Sequence, residues 1–190
     1  MKEEHLNVKT KRRRGYSSYL GEQYPVPENI MNRDFKTDRT YQKRLNDITE
    51  FTILYYTIPN GKVYLSVIKD CYNNEIIATK LGTSPNAELV YSTLIDAIQA
   101  IDGKELEGLV LHGDRGIHYR WSEWIEIIKK YGITRSMSKK GCILDNAICE
   151  GVFGRFKNES FYNYSFTIYT IPEFLKYMLD YIHWYNNDRI

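Results

Sequence analysis

The stretch Leu109-Val-Leu-His-Gly-Asp-Arg-Gly116 decides the fold, because it places the Asp114 carboxylate at the end of a short apolar run. An apolar run that ends in Gly, Asp and Gly is typical of a buried strand followed by a turn. A second carboxylate, Glu150, follows after 35 residues, 115 to 149. A third, Asp47, lies upstream in the strand-like run Leu45-Asn-Asp-Ile-Thr-Glu-Phe51. Three carboxylates at the ends of packed elements suggest a metal site suited to phosphodiester chemistry.

The elements around this stretch predict an α/β fold. Upstream, three β-rich runs separated by turn signals predict an antiparallel meander over residues 45–57, 63–70 and 76–81. Downstream, helical and strand periods alternate, with helices at 89–101, 121–131, from Asp145 and from Ile171, and strands at 109–112 and 133–138. Asp145 is expected to be the N-cap of its helix. The order βββαβαβα predicts a ribonuclease-H-like domain, a mixed sheet of five strands with flanking helices.

Charge divides the chain into two expected parts, a basic N-terminal arm or linker over residues 1–40 and a core over 41–190. The net charge is +2, but residues 1–44 hold 11 Lys/Arg and only 6 Asp/Glu. The basic excess includes Arg12, Arg13 and Arg14, which can neutralise the phosphates of a nucleic acid. A solvated, disordered arm is the alternative, and the two interpretations are compatible because such arms often order on nucleic acid.

Composition argues against membrane, secreted and zinc proteins. The chain has no apolar stretch near the ~20 residues that a membrane span requires, and its N-terminus lacks the apolar core of a signal peptide. Its three cysteines form no CxxC pair, and its four histidines show no zinc-ligand spacing. An odd number of cysteines without a framework fits reduced thiols, so a cytoplasmic location is expected.

The three carboxylates are expected to converge and to bind Mg²⁺ or Mn²⁺. In a sheet of this order the first and fourth strands can be neighbours, and the following helix can lie across their ends. Two carboxylates about 5 Å apart repel by roughly 3 kcal/mol at an effective dielectric of 20. Divalent cations remove that penalty, and hard oxygen ligands suit Mg²⁺ or Mn²⁺. Two such ions support in-line phosphoryl transfer.

Several lysines near these acids are candidates for DNA binding. Lys157 lies seven residues after Glu150, two turns along the same helix face, where it could hold a phosphate; an ordinary surface lysine is the alternative. Lys139 and Lys140 lie in a polar loop after the fifth predicted strand. Gly151 and Gly154 weaken the same helix, which suggests that DNA or another helix approaches its backbone closely.

Three further residues near the acids have competing interpretations. Asp70 could join the cluster, but it more simply begins a turn at the end of the second strand. Glu50 lies three residues beyond Asp47, so strand alternation points it to the opposite face. His112 either helps to shape the site or is a packed strand histidine.

Taken together, these residues resemble the integrase-core transposases of bacterial insertion sequences, the branch closest to retroviral integrases. The similarity covers roughly residues 32–190 and rests on these segments in the right order: Asn32-Arg-Asp-Phe35, Asn46-Asp-Ile-Thr-Glu-Phe51, Asn60-Gly-Lys-Val-Tyr-Leu-Ser66, Asn73-Asn-Glu-Ile-Ile77, His112-Gly-Asp-Arg-Gly116, Ser136-Met-Ser-Lys-Lys-Gly141, Asp145-Asn-Ala147 with Glu150, and Tyr181-Ile-His-Trp-Tyr-Asn-Asn187. The 35-residue interval followed by Lys157 matches the family's acid-acid-acid signature and its basic residue.

The resemblance implies a metal-dependent transposase that cleaves DNA strands and transfers them in transposition of an insertion sequence. Asp47, Asp114 and Glu150 would be its catalytic metal ligands. Water would free a 3′-hydroxyl at an element end, and that hydroxyl would attack a target phosphodiester without a covalent protein intermediate. The implied partners are DNA, as element ends and target, and further copies of the chain in a homo-oligomer.

Departures from the family pattern leave two alternatives open. The family usually has Ser or Thr at the positions of Asn46 and Gly113, often Gln at Arg115, and Asn at Cys142. It also usually carries helix-turn-helix segments upstream and continues past Ile190, so the chain could be a truncated, inactive remnant that folds and binds DNA. A recombinase with a tyrosine nucleophile is the other alternative, suggested by 17 tyrosines that packing explains as well.

Overall fold

A computed structural model describes residues 26–53, 61–101, 106–139, 143–166 and 169–189, without the side chains of 143–149. Residues 59 and 60 of the predicted hairpin turn lie outside the described residues, as do Arg12, Arg13, Arg14 and Lys140. Within the described ranges, no helix is long and apolar enough to cross a membrane.

Five strands form one mixed sheet, as the sequence predicts. They are β1 (Lys43–Thr52), β2 (Lys62–Asp70), β3 (Ile76–Gly82), β4 (Val110–Gly113) and β5 (Thr134–Met137), in the spatial order β3-β2-β1-β4-β5. The first three strands pair antiparallel, whereas β4 pairs parallel to β1 and β5 parallel to β4. The predicted contact between the first and fourth strands is therefore confirmed.

Four α-helices flank the sheet: α1 (Ala87–Gln99), α2 (Ser122–Lys130), α3 (Ile143–Lys157) and α4 (Ile171–Asn187). A 3₁₀ turn at Ile117–Arg120 precedes α2, and a π turn at Asn158–Tyr162 extends α3. The predicted N-cap at Asp145 is wrong, because α3 begins two residues earlier and Asp145 lies inside it. Ile143 and Leu144 are adequate helix formers, so the helix extends back through them.

The helix α4 begins where the sequence predicts, and its start is stabilised by a capping box. Thr170 Oγ1 accepts a hydrogen bond from the Glu173 backbone N–H (3.4 Å), and Glu173 Oε2 accepts from the Thr170 backbone N–H (2.8 Å). Pro172 occupies the first turn, where it needs no hydrogen-bond partner for its nitrogen. Two of the donors that a helix start leaves unpaired are thereby satisfied.

Strand alternation gives the sheet two buried faces. Leu45 and Phe51 of β1 pack with Phe153 and Phe156 of α3, and with residues of α4. On the other face, Arg44 of β1 reaches α1 and donates to the backbone oxygen of Ala97 (3.2 Å). Because alternate residues of a strand share a face, Asp47 lies on the face covered by α3 and α4.

The segment before β1 packs on the sheet, which differs from the linker expected there. The Met137 backbone N–H donates to the Glu28 oxygen (3.3 Å), and the Ile30 N–H donates to Ser136 Oγ (3.0 Å). Met31 is 2% exposed and joins the core with Phe35 against it. Apolar burial thus holds residues 26–35 in place, while the domain boundary at residue 40 stays a prediction.

Candidate active site

The adjacent strands β1 and β4 bring Asp47 and Asp114 together. Leu45 of β1 pairs with His112 of β4 in parallel register. Asp47 lies two residues further along β1 and Asp114 two residues further along the chain, directly after the end of β4, so they share the face covered by α3 and α4. Adjacent strands are about 4.8 Å apart, so the two carboxylates are neighbours, as predicted.

Backbone groups hold one oxygen of each carboxylate. The Ile48 N–H donates to Asp47 Oδ1, and the Gly116 N–H donates to Asp114 Oδ1, both at 2.8 Å. A Cβ built on Gly116 would lie 2.8 Å from Asp114 Oδ1, so a larger residue here would force the Asp114 carboxylate to move. In the described part of the chain, no hydrogen bond engages the Oδ2 atom of either residue. These oxygens can therefore accept a ligand. Sequence reasoning missed Gly116, although its Asp-x-Gly spacing is visible.

The electrostatics join Asp47 to the other predicted site residues. Burial, then the charge of Asp114 and to a smaller extent that of Glu150, raise the pKa of Asp47 to about 7. The Ile48 N–H and Lys157 act in the opposite direction. Burial lowers the pKa of Lys157, against the attraction of Asp47. Asp114, Glu150 and Lys157 therefore all lie within electrostatic range of Asp47.

The outer face of α3 is open around Glu150. Glu150 is exposed, and Lys157 is half-buried with its Nζ atom 5.6 Å from the centre of the Phe51 ring. A Cβ on Gly151 or Gly154 would meet no described atom within 4 Å. No three His, Cys, Asp or Glu side chains of the described residues lie close enough together to hold a metal ion. Glu150 is thus near the two aspartates without forming a closed cluster with them.

The donor set nevertheless fits a hard divalent cation. Asp47 and Asp114 offer carboxylate oxygens from adjacent strands, and the Asp114 charge makes ionisation of Asp47 unfavourable. A cation between them would reverse that effect, because it favours the charged form of both acids. Carboxylate oxygens are the ligands that Mg²⁺ and Mn²⁺ prefer.

Two competing acids are engaged elsewhere. Asp70 is buried, with Oδ2 3.7 Å from Arg44 Nε, and its Oδ1 accepts from the Tyr72 N–H (2.8 Å), which confirms the turn interpretation. Glu50 Oε1 lies 2.8 Å from Lys62 Nζ at the exposed end of the β1–β2 pair. Lys139 is exposed and is the second residue after β5. The C-terminal end of β5 pairs with Gly113, directly before Asp114.

His112 is a packed strand histidine that holds β4 to β5. It is fully buried, with Nδ1 2.8 Å from Ser136 Oγ and Nε2 3.3 Å from Ser138 Oγ. Phe35 packs edge-on against its ring. Next to Asp114, Arg115 Nε donates to the Ser138 backbone oxygen (2.8 Å). The two serines, which sequence reasoning did not single out, thus tie the Asp114 turn to the end of β5.

Asn46 and Gly113 form a complementary pair behind the two aspartates. The Asn46 side chain is 4% exposed, and a Cβ on Gly113 would lie only 2.7 Å from its Oδ1 atom and 2.9 Å from its Nδ2 atom. Neither amide atom has a hydrogen-bond partner in the described part of the chain. The Asn46 side chain therefore leaves no room for a Cβ at position 113 unless the amide shifts.

The fold and the site define a class of protein. A five-stranded sheet in this order, with one acid in the middle of β1 and another directly after β4, is that of a ribonuclease-H-like domain. Two models described as integrase core domain match residues 37–142 and 150–190. The chain therefore belongs to the integrase core domain family.

Named relatives agree with this assignment. The chain is 44% identical over 190 residues to a probable transposase for insertion sequence element IS1353 of Shigella flexneri, covering 100% of this chain and 36% of that protein. It is 39% identical over 175 residues to an uncharacterized transposase-like protein of Haemophilus influenzae, covering 92% of this chain and 76% of that protein. It is 39% identical over 184 residues to the putative transposase InsK for insertion sequence element IS150 of Escherichia coli, covering 96% of this chain and 60% of that protein. The chain thus spans about a third of the first relative's length.

Solved structures support the fold. A chain of the simian T-cell lymphotropic virus intasome, in complex with PP2A regulatory subunit B56 gamma, matches with a TM-score of 0.60 and 13% identity over 90% of this chain and 56% of that chain. A chain of the pre-cleavage Mos1 transpososome matches with a TM-score of 0.57 and 10% identity, over 75% of this chain and 48% of that chain. At these identities the likeness shows the fold alone, and it confirms the predicted ribonuclease-H-like class.

Proposed function

We propose that this chain is the catalytic core of a DNA transposase that cleaves DNA strands and transfers them to a target, moving an insertion sequence. The observation that carries the proposal is the placement of Asp47 in the middle of β1 beside Asp114, which directly follows the adjacent strand β4, within electrostatic range of Glu150 and Lys157. The names of the relatives support the same reaction.

Each acid has a distinct role in this proposal. Asp47 and Asp114, each fixed through Oδ1 by a backbone N–H, would hold Mg²⁺ or Mn²⁺ through the remaining oxygen. Glu150 would complete the ligand set from α3. When bound, such ions favour attack of an oxygen nucleophile on phosphorus and stabilise the leaving oxygen. The raised pKa of Asp47 means that it is protonated more readily than an ordinary carboxylate. A bound cation would keep it ionised.

The DNA substrate would be held by cations around these acids. Lys157, two turns from Glu150 on the same face of α3, would bind a phosphate next to the reacting group. Lys139 would contact the backbone from the end of β5, and Lys140 and the Arg12–Arg14 run are proposed further contacts. Water would release a 3′-hydroxyl at the element end; that hydroxyl would then displace a 3′-oxygen of the target phosphodiester. We further propose that the chain acts as a multimer on paired DNA ends.

A strand-transfer assay on a labelled duplex carrying the element end tests the proposal. We expect product with Mg²⁺ or Mn²⁺ and none with EDTA. Asp47→Asn, Asp114→Asn and Glu150→Gln should each lower the rate about 100-fold or more, because each removes a ligand worth several kcal/mol. Glu50→Gln is the matched control, since Glu50 is an exposed acid of the same strand paired with Lys62.

The other outcomes identify the alternatives. DNA binding without any metal-dependent product would indicate an inactive remnant. Activity in EDTA together with a covalent protein–DNA adduct would indicate a tyrosine nucleophile.

A further inference from the structure

A cavity of about 220 Å³ lies against α3, and its walls are rich in positive charge. Its polar lining comes from the β2–β3 hairpin, from α3 and from the end of α4: Lys69, Asn74, Arg155, Glu159, Tyr185 and Arg189. Three cations and one carboxylate therefore face the same space. The cavity has the volume of about seven water molecules in the liquid, enough for a phosphate group with part of its sugar.

Glu159, the one carboxylate among the described lining residues, is already engaged. Arg189 donates to both of its oxygens, from Nη2 to Oε1 at 2.8 Å and from Nε to Oε2 at 3.1 Å. The Tyr181 hydroxyl also donates to Oε2 (2.9 Å). Arg189 and Glu159 thus pair with one another, and the charge of Arg155 also acts on Glu159. Among the described lining residues, the cations outnumber the carboxylates by two.

The two remaining cations are placed to bind an anion. Lys69 is 3% exposed, and its ammonium donates to Asn74 Oδ1 (2.7 Å), which holds it at the cavity wall. Arg155 is exposed, and in the described part of the chain it makes no hydrogen bond or ion pair. A guanidinium in this state offers a planar pair of donors that matches two phosphate oxygens.

Helix geometry connects this cavity to the candidate active site. Successive residues turn by about 100° around an α-helix, so Lys157 shares the face of Glu150 while Arg155 lies about 140° away from it. Measured around the helix from Glu150, Gly151 lies at about 100° and Gly154 at about 40°. Both glycines therefore lie between Glu150 and Arg155. Both have open space where a side chain would stand, among the described residues. The glycines therefore form a shallow path across α3 from the acids to the cavity.

We propose that this cavity binds a phosphate of the DNA backbone, on a strand that crosses α3 over Gly151 and Gly154 after leaving the acids. The inference rests on the proposed function and adds a second DNA anchor on the other flank of the helix. DNA fits better than a free anion, because Lys157 and Arg155 lie on opposite flanks of α3, about 160° apart around the helix. A continuous sugar–phosphate chain that crosses the two glycines can reach both, whereas a single free anion cannot.

Equilibrium DNA binding tests the proposal without requiring catalysis. The affinity of the full chain for a fluorescein-labelled duplex is measured by fluorescence anisotropy in EDTA over a series of KCl concentrations. Arg155→Gln should weaken binding about eightfold at 0.1 M salt and reduce the slope of log affinity against log salt by about 0.9, the effect of one lost phosphate contact. Lys129→Gln is the control of equal charge change, because Lys129 is exposed on α2, on the opposite face of the sheet.

A second variant separates DNA contact from folding. Gly151→Gln should also weaken binding by blocking the path, while raising the melting temperature by about 2–4 °C, because glycine is a poor helix former. A salt slope in Arg155→Gln equal to that of the unmodified chain would overturn the cavity as a phosphate site. The transposase proposal would survive that result, since it depends on strand transfer by the three acids. Failure of the unmodified chain to bind DNA would overturn both.

Discussion

Replacing Asp47 by Asn tests whether Asp47 of β1 and Asp114, which follows β4, form a site that needs a cation. Burial and the Asp114 charge raise the pKa of Asp47 to about 7, against about 3.9 in an unfolded chain. Folding therefore favours the protonated acid. The stability that protonation contributes is present in full below about pH 4 and is lost as the pH rises through about 7. At pH 8 the metal-free protein carries a penalty that the neutral amide of Asn removes.

The size of this penalty follows from the pKa difference. At about 1.4 kcal/mol for each pKa unit, the upper limit is about 4 kcal/mol. Asp47 retains some solvent contact, and solvent screening brings the expected gain to about 1–3 kcal/mol. For a chain of this size, each kcal/mol changes the melting temperature by about 2–4 °C. Asp47→Asn should therefore raise the melting temperature by about 2–12 °C at pH 8 in EDTA and leave it unchanged at pH 4.

Thermal unfolding followed by circular dichroism measures this effect, with EDTA or MgCl₂ at pH 4 and pH 8. Mg²⁺ should stabilise the unmodified chain at pH 8, because a cation that binds only the folded state raises its stability. It should not stabilise Asp47→Asn. Glu50→Gln serves as the control and should respond to Mg²⁺ like the unmodified chain. The reasoning is refuted if Asp47→Asn is no more stable than the unmodified chain at pH 8 in EDTA, or gains as much from Mg²⁺.

Three further substitutions test the surroundings of the site and one helix start. Gly113→Ala should lower the free energy of unfolding by about 1–3 kcal/mol through overpacking against Asn46, and Asn46→Ala in the same chain should recover most of it; additive losses in urea denaturation would contradict the contact. Gly116→Ala would place a Cβ 2.8 Å from Asp114 Oδ1, so it should abolish stabilisation by Mg²⁺ while circular dichroism shows a folded protein; a normal response to Mg²⁺ would argue against this turn as the support of Asp114. Thr170→Ala should cost about 1 kcal/mol by removing the cap of α4, measured by urea denaturation, and an unchanged midpoint would show that the capping box contributes nothing.

The sheet and the positions of two acids could be predicted because they follow from local patterns. The alternating β-rich runs identify the strands, and the change to a helical period after Asn86 identifies the crossovers. Once β1 and β4 are neighbours in parallel register, Asp47 and Asp114 must adjoin, since each lies two residues beyond a paired residue. No long-range information beyond the strand order is needed for that step.

Contacts between distant segments could not be predicted in the same way. Met31 packs in the core and its N–H donates to Ser136 Oγ (3.3 Å), 105 residues away in sequence. Nothing local to residues 26–35 indicates that partner, because the segment shows no sustained period. The contact of Asn46 with Gly113 is of the same kind. Each residue alone is an unusual choice, and only the geometry of two adjacent strands shows that the Asn46 side chain leaves no room for a Cβ at position 113.

The position of Glu150 shows how far an interval in sequence can determine a site. Phe153 and Phe156 bury one side of α3 against β1, and Lys157 lies over Phe51, so the C-terminal half of the helix is fixed to the sheet. Glu150 lies before these anchors, on an exposed turn next to Gly151. The distance between Asp47 and Asp114 is fixed by the spacing of two paired strands. The distance from Glu150 to these aspartates depends instead on the position of the N-terminal half of α3. The 35-residue interval therefore predicts Glu150 as the third acid, while its distance from the other two is set by packing at the N-terminal half of α3.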